Sequence, residues 1–590
     1  MKEFFKYVLA TVVGFIAVSV IGLFLFFIIV GALIASTEKQ VSVQNNSMLV
    51  LDLNRQVVDR APNDPFEDLD IPGFSKVKTI GLDNIKKSLN NAVVDDRIKC
   101  IYLKSSTVGG GMATVEEIRN MLIDFKKKSD KPIYAYGDMF DQKAYYLATV
   151  ADKIVIHPMG ALDFRGIGGE MMFYKNALEK LGVEAQIIRH GKFKAAVEPF
   201  MLDKMSDENR EQTMVYMNSL WNQMLKGISE KRNISVEKLN ELADEVQTFK
   251  KGEELVTEGL VDATKYKDEV LDDLREITGI SGKKGIPIIS VNDYVKAPVK
   301  GVEGKYSRNK IAVIYASGDI GLSMGGETII GEEIGREIRK ARQDSSYKAI
   351  VFRVNSPGGT IFDADVIWRE VKLATEEKTV VVSFGDYAAS GGYYISCAAN
   401  KIISQPNTIT GSIGVFGIIP NAGELMNDKL GITTDAYGTN KNSNLLSIMR
   451  PMTDYERMLM QNSVEESYDT FISKVADGRN LTKDQVDEIG QGRVWSGENA
   501  KEIGLVDEFG GLDDAINMAA EIAGIEDYRT VDLPALPDPF QELFQTGSDN
   551  IRGWIMKKEL GEKYRFYEYF KKATTMKGIY VRLPYDININ

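Results

Sequence analysis

The sequence predicts an α/β protein made of two tandem copies of one domain, preceded by one N-terminal transmembrane helix. Three observations predict this: an uncharged apolar run near the start, a match of the chain with itself, and apolar strands that alternate with helices. The chain has 590 residues, which is enough for two to four domains. Its content of 44% hydrophobic and 26% charged residues is that of a folded globular protein.

The apolar run covers residues 7–37 and contains no charged residue. A helix needs about 20 residues to cross a hydrocarbon core about 30 Å thick, whereas the apolar part of a cleaved signal peptide has only about 7 to 15. Residues 1–37 are therefore predicted to be a short cytoplasmic tail and a membrane anchor. Lys2 and Lys6 before the run nearly balance Lys39 and Arg55 after it, so the charge count does not decide the orientation. Because a six-residue tail most simply stays inside, we expect the rest of the chain outside a bacterial inner (plasma) membrane, in a periplasmic or extracytoplasmic position.

The self-match indicates a duplication. Residues 385–403 align with 137–155 at an offset of 248 (385 − 137), and residues 355–359 align with 107–111 at the same offset. Residues 504–507 align with 259–262 at 245 (504 − 259). Matches in one order at nearly one offset indicate two copies of one fold. The predicted division is 45–280 for the N-terminal copy, 281–308 for a linker, 309–530 for the C-terminal copy and 531–590 for an unassigned tail.

Strands and helices alternate within each copy. In the second copy the predicted strands cover residues 310–315, 349–354, 379–383 and 401–404, and the predicted helices cover 331–342 and 363–375. Ile334 and Ile338 form the apolar side of the first of these helices. Strands that are apolar without strict alternation are typical of a parallel sheet covered on both faces. The linker carries one short predicted strand at 286–291.

The copies differ at one three-residue segment that bears on catalysis. The second has Ser390, Gly391 and Gly392 where the first has Gln142, Lys143 and Ala144. A serine followed by two glycines at a helix start places a hydroxyl beside free backbone N–H groups, which suits a nucleophile, although it also occurs at ordinary helix starts. Residues 355–359 (Asn-Ser-Pro-Gly-Gly) follow a strand, and their N–H groups could join that of Gly391 in holding an oxyanion.

The base is constrained by the scarcity of histidine. The chain has two His, His157 and His190, and two Cys, so a Ser-His-Asp triad, a His-rich metal site and a disulfide framework are all poorly supported. His157 is interpreted as a turn residue before Pro158, and nothing in the sequence marks an acidic partner for His190. A buried lysine can serve instead, because burial lowers its pKa and leaves the neutral amine able to take a proton. The net charge of −12 argues against nucleic-acid binding.

Residues 191–200 (Gly-Lys-Phe-Lys-Ala-Ala-Val-Glu-Pro-Phe) and 388–393 (Ala-Ala-Ser-Gly-Gly-Tyr) closely resemble motifs of the signal peptide peptidase A family, in its long, two-copy bacterial form (protease IV). This family consists of membrane-anchored Ser/Lys peptidases on a ClpP/crotonase-like fold, a superhelix of ββα units. The resemblance runs from the anchor to about residue 523. It implies Ser390 as the nucleophile, Lys194 as the general base, Ser412 as the residue that orients the lysine, and the N–H groups of Gly359 and Gly391 as oxyanion donors.

The resemblance also implies that the first copy supplies the lysine and the second the serine, with no metal or organic cofactor. Remnant signal peptides and other hydrophobic peptides would be the substrates, and the protein would be a homotetramer with no nucleic-acid partner. Two alternatives for the base stay open. Lys192 lies two residues from Lys194, and Lys441 occupies the position of Lys194 in the second copy at an offset of 247 (441 − 194).

Two other functions are compatible with the predicted fold. One is a crotonase-like enzyme acting on acyl-CoA thioesters, which shares the oxyanion arrangement but needs neither an anchor nor a serine and lysine pair. The other is an inactive membrane scaffold, which would not need to keep both members of the pair.

Overall fold

The computed structural model describes residues 2–37, 41–61, 78–282, 284–301, 307–321, 328–536 and 578–583. Its helices are α1 Lys2–Thr37, α2 Leu82–Val94, α3 Met112–Lys128, α4 Gln142–Ala148, α5 Lys175–Leu181, α6 Glu198–Met201, α7 Asp207–Arg232, α8 Val236–Asp244, α9 Gly252–Thr257, α10 Lys267–Thr278, α11 Val291–Tyr294, α12 Gly331–Gln343, α13 Ile361–Thr375, α14 Gly391–Tyr394, α15 Asp454–Arg479, α16 Lys483–Ile489, α17 Gly497–Glu502 and α18 Leu512–Ile522.

The strands of the first copy are β1 Ser47–Asp52, β2 Gln56–Val58, β3 Thr79–Gly81, β4 Ile98–Lys104, β5 Ile133–Phe140, β6 Lys153–Leu162, β7 Glu184–Arg189, β8 Ala263–Thr264 and β9 Ile288–Ser290. Those that follow are β10 Lys310–Ser317, β11 Asp319–Ile320, β12 Thr328–Ile329, β13 Tyr347–Ser356, β14 Gly358–Thr360, β15 Thr379–Ala389, β16 Lys401–Ser404, β17 Ile409–Gly411, β18 Phe416–Asn421, β19 Val494–Ser496, β20 Glu508–Phe509, β21 Arg529–Leu533 and β22 Gly578–Arg582.

Each copy is built on one large sheet. The first copy's sheet has the order β8-β6-β5-β4-β1-β9, and all of its pairs are parallel. The second has the order β19-β17-β15-β13-β10-β21, with β16 beside β15 and β20 beside β16; its pairs are parallel except β17 with β19. Ala349–Val354 on β13 are buried without alternation, which confirms a sheet covered on both faces. Ile334 and Ile338 on α12 lie in the core as predicted.

The helices repeat as the strands do. α7 and α15 both have 26 residues and begin 247 residues apart (454 − 207). Each is capped by a hydroxyl at its start, from Ser206 or Thr453, and each ends at an asparagine in the left-handed conformation, Asn233 or Asn480. The same turn chemistry at both ends of both helices agrees with the duplication.

A third sheet joins the copies, and the sequence does not predict it. Its order is β12-β11-β14-β22-β18-β7, so it combines β7 of the first copy, strands of the second and β22 from the tail. β18 pairs with β7 along six residues and with β22 on its other side, both antiparallel. Two segments that the sequence places outside the two copies, the strand predicted in the linker and part of the tail, therefore belong to sheets. β9, within the linker, pairs with β1 because its apolar Ile289 completes that edge, and the tail contributes β22.

At the N-terminus, α1 confirms that the apolar run is helical. In the part of the chain that the structure describes, no helix combines the length and the hydropathy needed to cross a membrane.

A buried ion cluster also connects the copies. The guanidinium of Arg353 on β13 is 1% exposed and lies 2.9 Å from Asp59 and 2.8 Å from Glu117, both in the first copy. It also donates to the Ser383 hydroxyl and the Phe384 carbonyl oxygen. Because all these groups are removed from water, the arginine and its carboxylates tolerate burial only together.

Replacing Arg353 tests this connection. In Arg353→Ala two carboxylates would stay buried without their counter-charge, which destabilises by about 3–5 kcal/mol. We expect urea denaturation to show a clearly lower midpoint. Arg336→Ala is the control, because this arginine is 52% exposed and its contact with Glu337 contributes at most about 1 kcal/mol. Equal midpoints for the two variants would contradict a role of Arg353 in holding the copies together.

Candidate active site

Ser390 lies at the junction of β15 and α14. Its backbone has φ 55° and ψ −112°, a strained conformation for a residue with a side chain. The strain is held from both sides, because the Ser390 N–H donates to the Gly411 carbonyl oxygen at 2.8 Å and the Tyr394 N–H donates to that of Ser390 at 2.8 Å. The sharp change from strand to helix aims the hydroxyl out of the sheet, and the residue has no exposed surface.

Lys194 reaches this serine from the other copy. It follows β7 in the first copy and comes directly before a short 3₁₀ turn at Ala195–Val197. Its Nζ lies 2.8 Å from Ser390 Oγ, 3.0 Å from Ser412 Oγ and 3.1 Å from the Ser412 carbonyl oxygen. The structure thus brings Lys194 together with Ser390 and Ser412, which lie 196 and 218 positions further along the chain.

The environment of the Lys194 amine favours the neutral form. The side chain has no exposed surface, and burial lowers the pKa of the amine well below its ordinary value of 10.5. Only hydroxyl and carbonyl oxygens lie within hydrogen-bonding distance among the described residues, and no carboxylate stabilises a positive charge. An amine in such a place can accept a proton from a neighbouring hydroxyl.

Ser412 and Gly492 shape the cavity of the lysine. Ser412 has φ 51°, and its N–H donates to the Arg493 carbonyl oxygen at 2.7 Å, which fixes the hydroxyl beside Nζ. Gly492 has φ 85°, and a Cβ there would lie 2.6 Å from the Lys194 Cα. Only glycine both adopts this φ without strain and leaves room for the Lys194 backbone. A glycine is therefore required at residue 492 for the lysine to enter the cavity.

The two expected oxyanion donors are neighbours. Gly359 belongs to β14, beside the start of α14, and its N atom lies 3.1 Å from the point where a Cβ of Gly391 would stand. Gly358 has φ 105°, and a Cβ there would lie 2.8 Å from the Gly391 N atom. Residues 358 and 359 therefore bring their backbone against that of residue 391, so that two N–H groups can serve one oxygen.

A buried amide, not recognised from the sequence, ties the lysine segment to the Ser412 segment. Gln212 on α7 donates to the Phe193 carbonyl oxygen at 3.0 Å and accepts from the Val494 N–H at 3.0 Å. Phe193 precedes Lys194, and Val494 follows the residue that holds Ser412. Gln212 also donates to Asn209, which bonds the buried Glu198 of the predicted Ala-Val-Glu-Pro-Phe motif. A glutamine inside a helix carries no sequence signal for such a role.

The remaining candidate residues lie apart from this arrangement. Lys192 is exposed, with its amine 5.2 Å from the Phe193 ring, and Lys441 is exposed. His190 does have an acidic partner, contrary to the sequence interpretation, because its Nδ1 lies 2.6 Å from Glu465. This partner is 275 residues away, and no contact of the His190 ring with Ser390 is present in the described part of the chain.

The first copy has a structural side chain at the position that corresponds to Ser390. Gln142 stands at the position of Ser390, and its side-chain oxygen accepts from the N–H groups of Arg165 at 3.1 Å and Gly166 at 2.8 Å. The amide occupies the place of a nucleophile and binds the neighbouring loop. Where the second copy has the candidate nucleophile, the first copy thus has a side chain with structural contacts.

Strand β22 covers the site in the second copy. It lies between β14, which carries Gly359, and β18, and it pairs antiparallel with both. Ser390, Lys194 and Ser412 have no exposed surface in this arrangement. The tail, to which the sequence assigns no role, thus contributes a peptide strand beside the candidate nucleophile.

Comparison with known proteins places this chain in a family. The sequence matches peptidase family S49 over residues 125–281 and 372–526. It is 33% identical over 513 residues to "Serine protease SPPA, chloroplastic" of Arabidopsis thaliana, and the match covers 85% of this chain and 73% of that protein. It is 37% identical over 460 residues to "Protease 4" of Salmonella typhi, and this match covers 76% of this chain and 72% of that protein. A solved ClpP1 variant of Listeria monocytogenes is 18% identical, with a TM-score of 0.24, over 35% of this chain and 94% of that one. Because the family matches fall in both copies and the relatives cover most of the chain, this protein belongs to peptidase family S49 and is a serine peptidase.

Proposed function

We propose that this protein is a membrane-anchored endopeptidase that uses a Ser390/Lys194 dyad to hydrolyse hydrophobic peptides, including remnant signal peptides after secretion. The observation that carries the proposal is the 2.8 Å contact between the fully buried Lys194 amine and the Ser390 hydroxyl. A serine is a weak nucleophile until a neighbouring base takes its proton, and the neutral lysine is that base.

The mechanism follows from the positions of the groups. Lys194 accepts the Ser390 proton while Oγ attacks the peptide carbonyl carbon. The N–H groups of Gly359 and Gly391 stabilise the negative charge on the carbonyl oxygen, a type of contribution worth about 2.7–4 kcal/mol per donor. Lys194 then gives its proton to the leaving amine, and water activated by the same lysine hydrolyses the acyl-serine. Ser412 holds the amine in place throughout.

The groove favours an extended apolar peptide. Between β14 and β18 the backbone of β22 is paired on both edges, so a substrate bound there would be a single strand. Phe416 and Ile418 of β18, with Ala196 and Val197 behind the lysine, give the groove an apolar side. A groove of this shape accommodates a peptide strand. It does not support the alternative function, an enzyme acting on acyl-CoA thioesters.

The cellular setting is part of the same proposal. The uncharged run at residues 7–37 would anchor the chain in the bacterial inner membrane, with both copies (45–280 and 309–530) periplasmic or extracytoplasmic. We propose ClpP/crotonase-like superhelical folds for the copies and a homotetramer for the protein. Apolar side chains between β18 and α15, such as Leu430 at 58% and Tyr437 at 91% exposed, support a contact between subunits.

Removing either member of the dyad is expected to abolish hydrolysis of an apolar peptide ester or a synthetic signal peptide in detergent. Ser390→Ala removes the nucleophile and Lys194→Ala removes the base, so we expect kcat to fall by more than about 10⁴-fold in each. Circular dichroism and gel filtration would establish that both variants are folded. Lys192→Ala and Lys441→Ala are the matched controls and should keep wild-type rates. Full activity in Ser390→Ala or Lys194→Ala would disprove the dyad.

The protonation of Lys194 can be measured without activity. In the unfolded chain the amine holds its proton up to about pH 10.5, whereas in the folded chain burial lowers the pKa and the proton is released earlier. Between these pKa values the unfolded state binds more protons, so stability rises with pH by about 1.4 kcal/mol per pH unit. The free energy of unfolding of wild type minus that of Lys194→Met should therefore increase from pH 8 to pH 10.

The control for this measurement is Lys192→Met, because that side chain is exposed and lies outside the proposed dyad. All other titrating groups cancel in both comparisons. A difference for Lys194→Met that does not change with pH would mean that the folded protein keeps Lys194 charged, and would contradict its proposed role as the base.

The anchor predicts how the protein fractionates. The full chain should stay with the membrane pellet after an alkaline carbonate wash and leave it only with detergent, because the run at residues 7–37 is buried in lipid. A chain that begins at residue 41 should appear in the supernatant and still hydrolyse a soluble peptide. Release of the full chain by carbonate alone would contradict the anchor while leaving the dyad untouched.

A further inference from the structure

A cavity of about 1230 Å³ lies between the two copies, along one edge of the second copy's sheet. One wall consists of the carboxyl ends of β10, β13 and β15, and the other belongs to the first copy, with residues 108–112 and Lys143. Ligands of open α/β sheets bind outside the carboxyl ends of the strands. Because Ser390 directly follows β15, the cavity lies on the same edge of the sheet as the candidate nucleophile.

A substrate bound for cleavage would send its C-terminal end toward this cavity. β22 lies antiparallel to β14, which runs from Gly358 to Thr360. A substrate in the same direction passes Gly359, the proposed oxyanion donor, and continues toward the residues that precede β14 in the chain. Asn355, three residues before β14, lines the cavity. The residues after the cleaved bond are therefore the ones that reach it.

Lys143 brings a positive charge to the wall of the first copy. Its amine donates to the Gly110 carbonyl oxygen at 3.1 Å and forms no ion pair with a carboxylate among the described residues. Two acidic side chains of this region are already bonded: Asp386 accepts from the first N–H groups of α3, and Asp141 caps α4. The lysine thus faces the cavity wall with a charge that has no carboxylate partner.

Asn407 adds an unpaired acceptor to the same cavity. The residue is 2% exposed, and its amide nitrogen donates to Glu116 at 3.3 Å. Its side-chain oxygen is buried and has no donor in the part of the chain that the structure describes. A buried oxygen without a donor costs free energy, and an N–H group of a bound peptide would remove that cost. The cavity therefore offers a peptide both an acceptor and a cation.

We propose that this cavity binds the C-terminal end of the substrate and that Lys143 pairs with its free α-carboxylate. The inference rests on the proposed function, because the same peptide is cleaved at Ser390. It adds a requirement: the peptide must end shortly after the cleaved bond. A remnant signal peptide has been released by an earlier cleavage and ends in such a carboxylate. The same segment in an intact precursor continues into another peptide bond and has no charge to offer.

The spacing along β15 sets the length of the released fragment. Asp386, which bonds the first copy at Gly111, lies four residues before Ser390. A strand rises about 3.3 Å per residue, so the wall that carries Lys143 lies about 13 Å from the nucleophile. An extended peptide covers this distance with about four residues. The fragment that carries the α-carboxylate should therefore have about four residues.

A pair of synthetic apolar peptides tests the proposal on the full chain in detergent. The two have one sequence, and one ends in a free carboxylate and the other in a carboxamide. We expect KM to be about tenfold lower for the carboxylate form, with similar kcat, because the carboxamide lacks the charge-assisted hydrogen bond to Lys143. Mass spectrometry of the products would give the length of the C-terminal fragment.

Variants locate the group that recognises the carboxylate. In Lys143→Met the ratio of the two KM values should fall to about one, and Lys143→Arg, which keeps the charge, should keep the preference. A general disturbance of the fold would change both KM values alike and leave their ratio. Arg336→Gln is the matched control and should keep the preference. This cation also lines the cavity, but it is 52% exposed and lies 3.9 Å from the Glu337 carboxylate.

The outcomes separate this proposal from the proposed function. Equal KM values for the two peptides in wild type would overturn carboxylate recognition, and Ser390-dependent hydrolysis of both would leave the dyad standing. A preference that survives in Lys143→Met, or one that is lost in Arg336→Gln, would also overturn the role of Lys143. Failure of wild type to hydrolyse either peptide would instead contradict the proposed function itself.

Discussion

Lys194 crosses from the first copy into the second and ends, without exposed surface, between two serine hydroxyls. A charged ammonium in such a place would need a carboxylate partner, and the described residues offer none within hydrogen-bonding distance. The neutral amine is the form that this environment accepts, and it is also the form that can take a proton. The same desolvation that opposes the charge therefore makes the lysine useful as a base.

This constraint explains why the copies are held together at so many places. The amine and the serine come from different copies, so a small movement of one copy against the other would separate them. The β7–β18 pairing, the Arg353 cluster and the Gln212 bridge each fix one copy to the other around the site. Asp386, four residues before the proposed nucleophile Ser390, adds a further link by accepting from Gly111 and Thr114 at the start of α3. At the position that corresponds to Ser390 the first copy has Gln142, whose side chain binds a neighbouring loop.

The sequence predicts the parts of this structure whose signals are local or repeated. The parallel sheets follow from apolar strands between helices, the duplication from a constant offset, and the pair of Ser390 and Lys194 from motifs of a known family. What it does not predict depends on pairing between distant segments. Nothing within a few residues of Gln212, Gly492 or the strand β22 indicates what each will contact, because their partners lie far along the chain. The acidic partner of His190 was missed for the same reason.

The third sheet restricts which peptide segments could bind as substrates, because a bound segment would have to pair its backbone with β14 and β18. β14 and β18 leave room for one strand between them, and that strand satisfies its N–H and C=O groups on both edges. A segment inside a folded domain already has partners for these groups, so it cannot enter without unfolding. Signal peptides and chain ends lack such partners, and an apolar groove gains further free energy by removing their side chains from water. Under the proposed function, selectivity for short apolar segments would follow from two requirements met together: an unpaired backbone, and side chains that gain from burial.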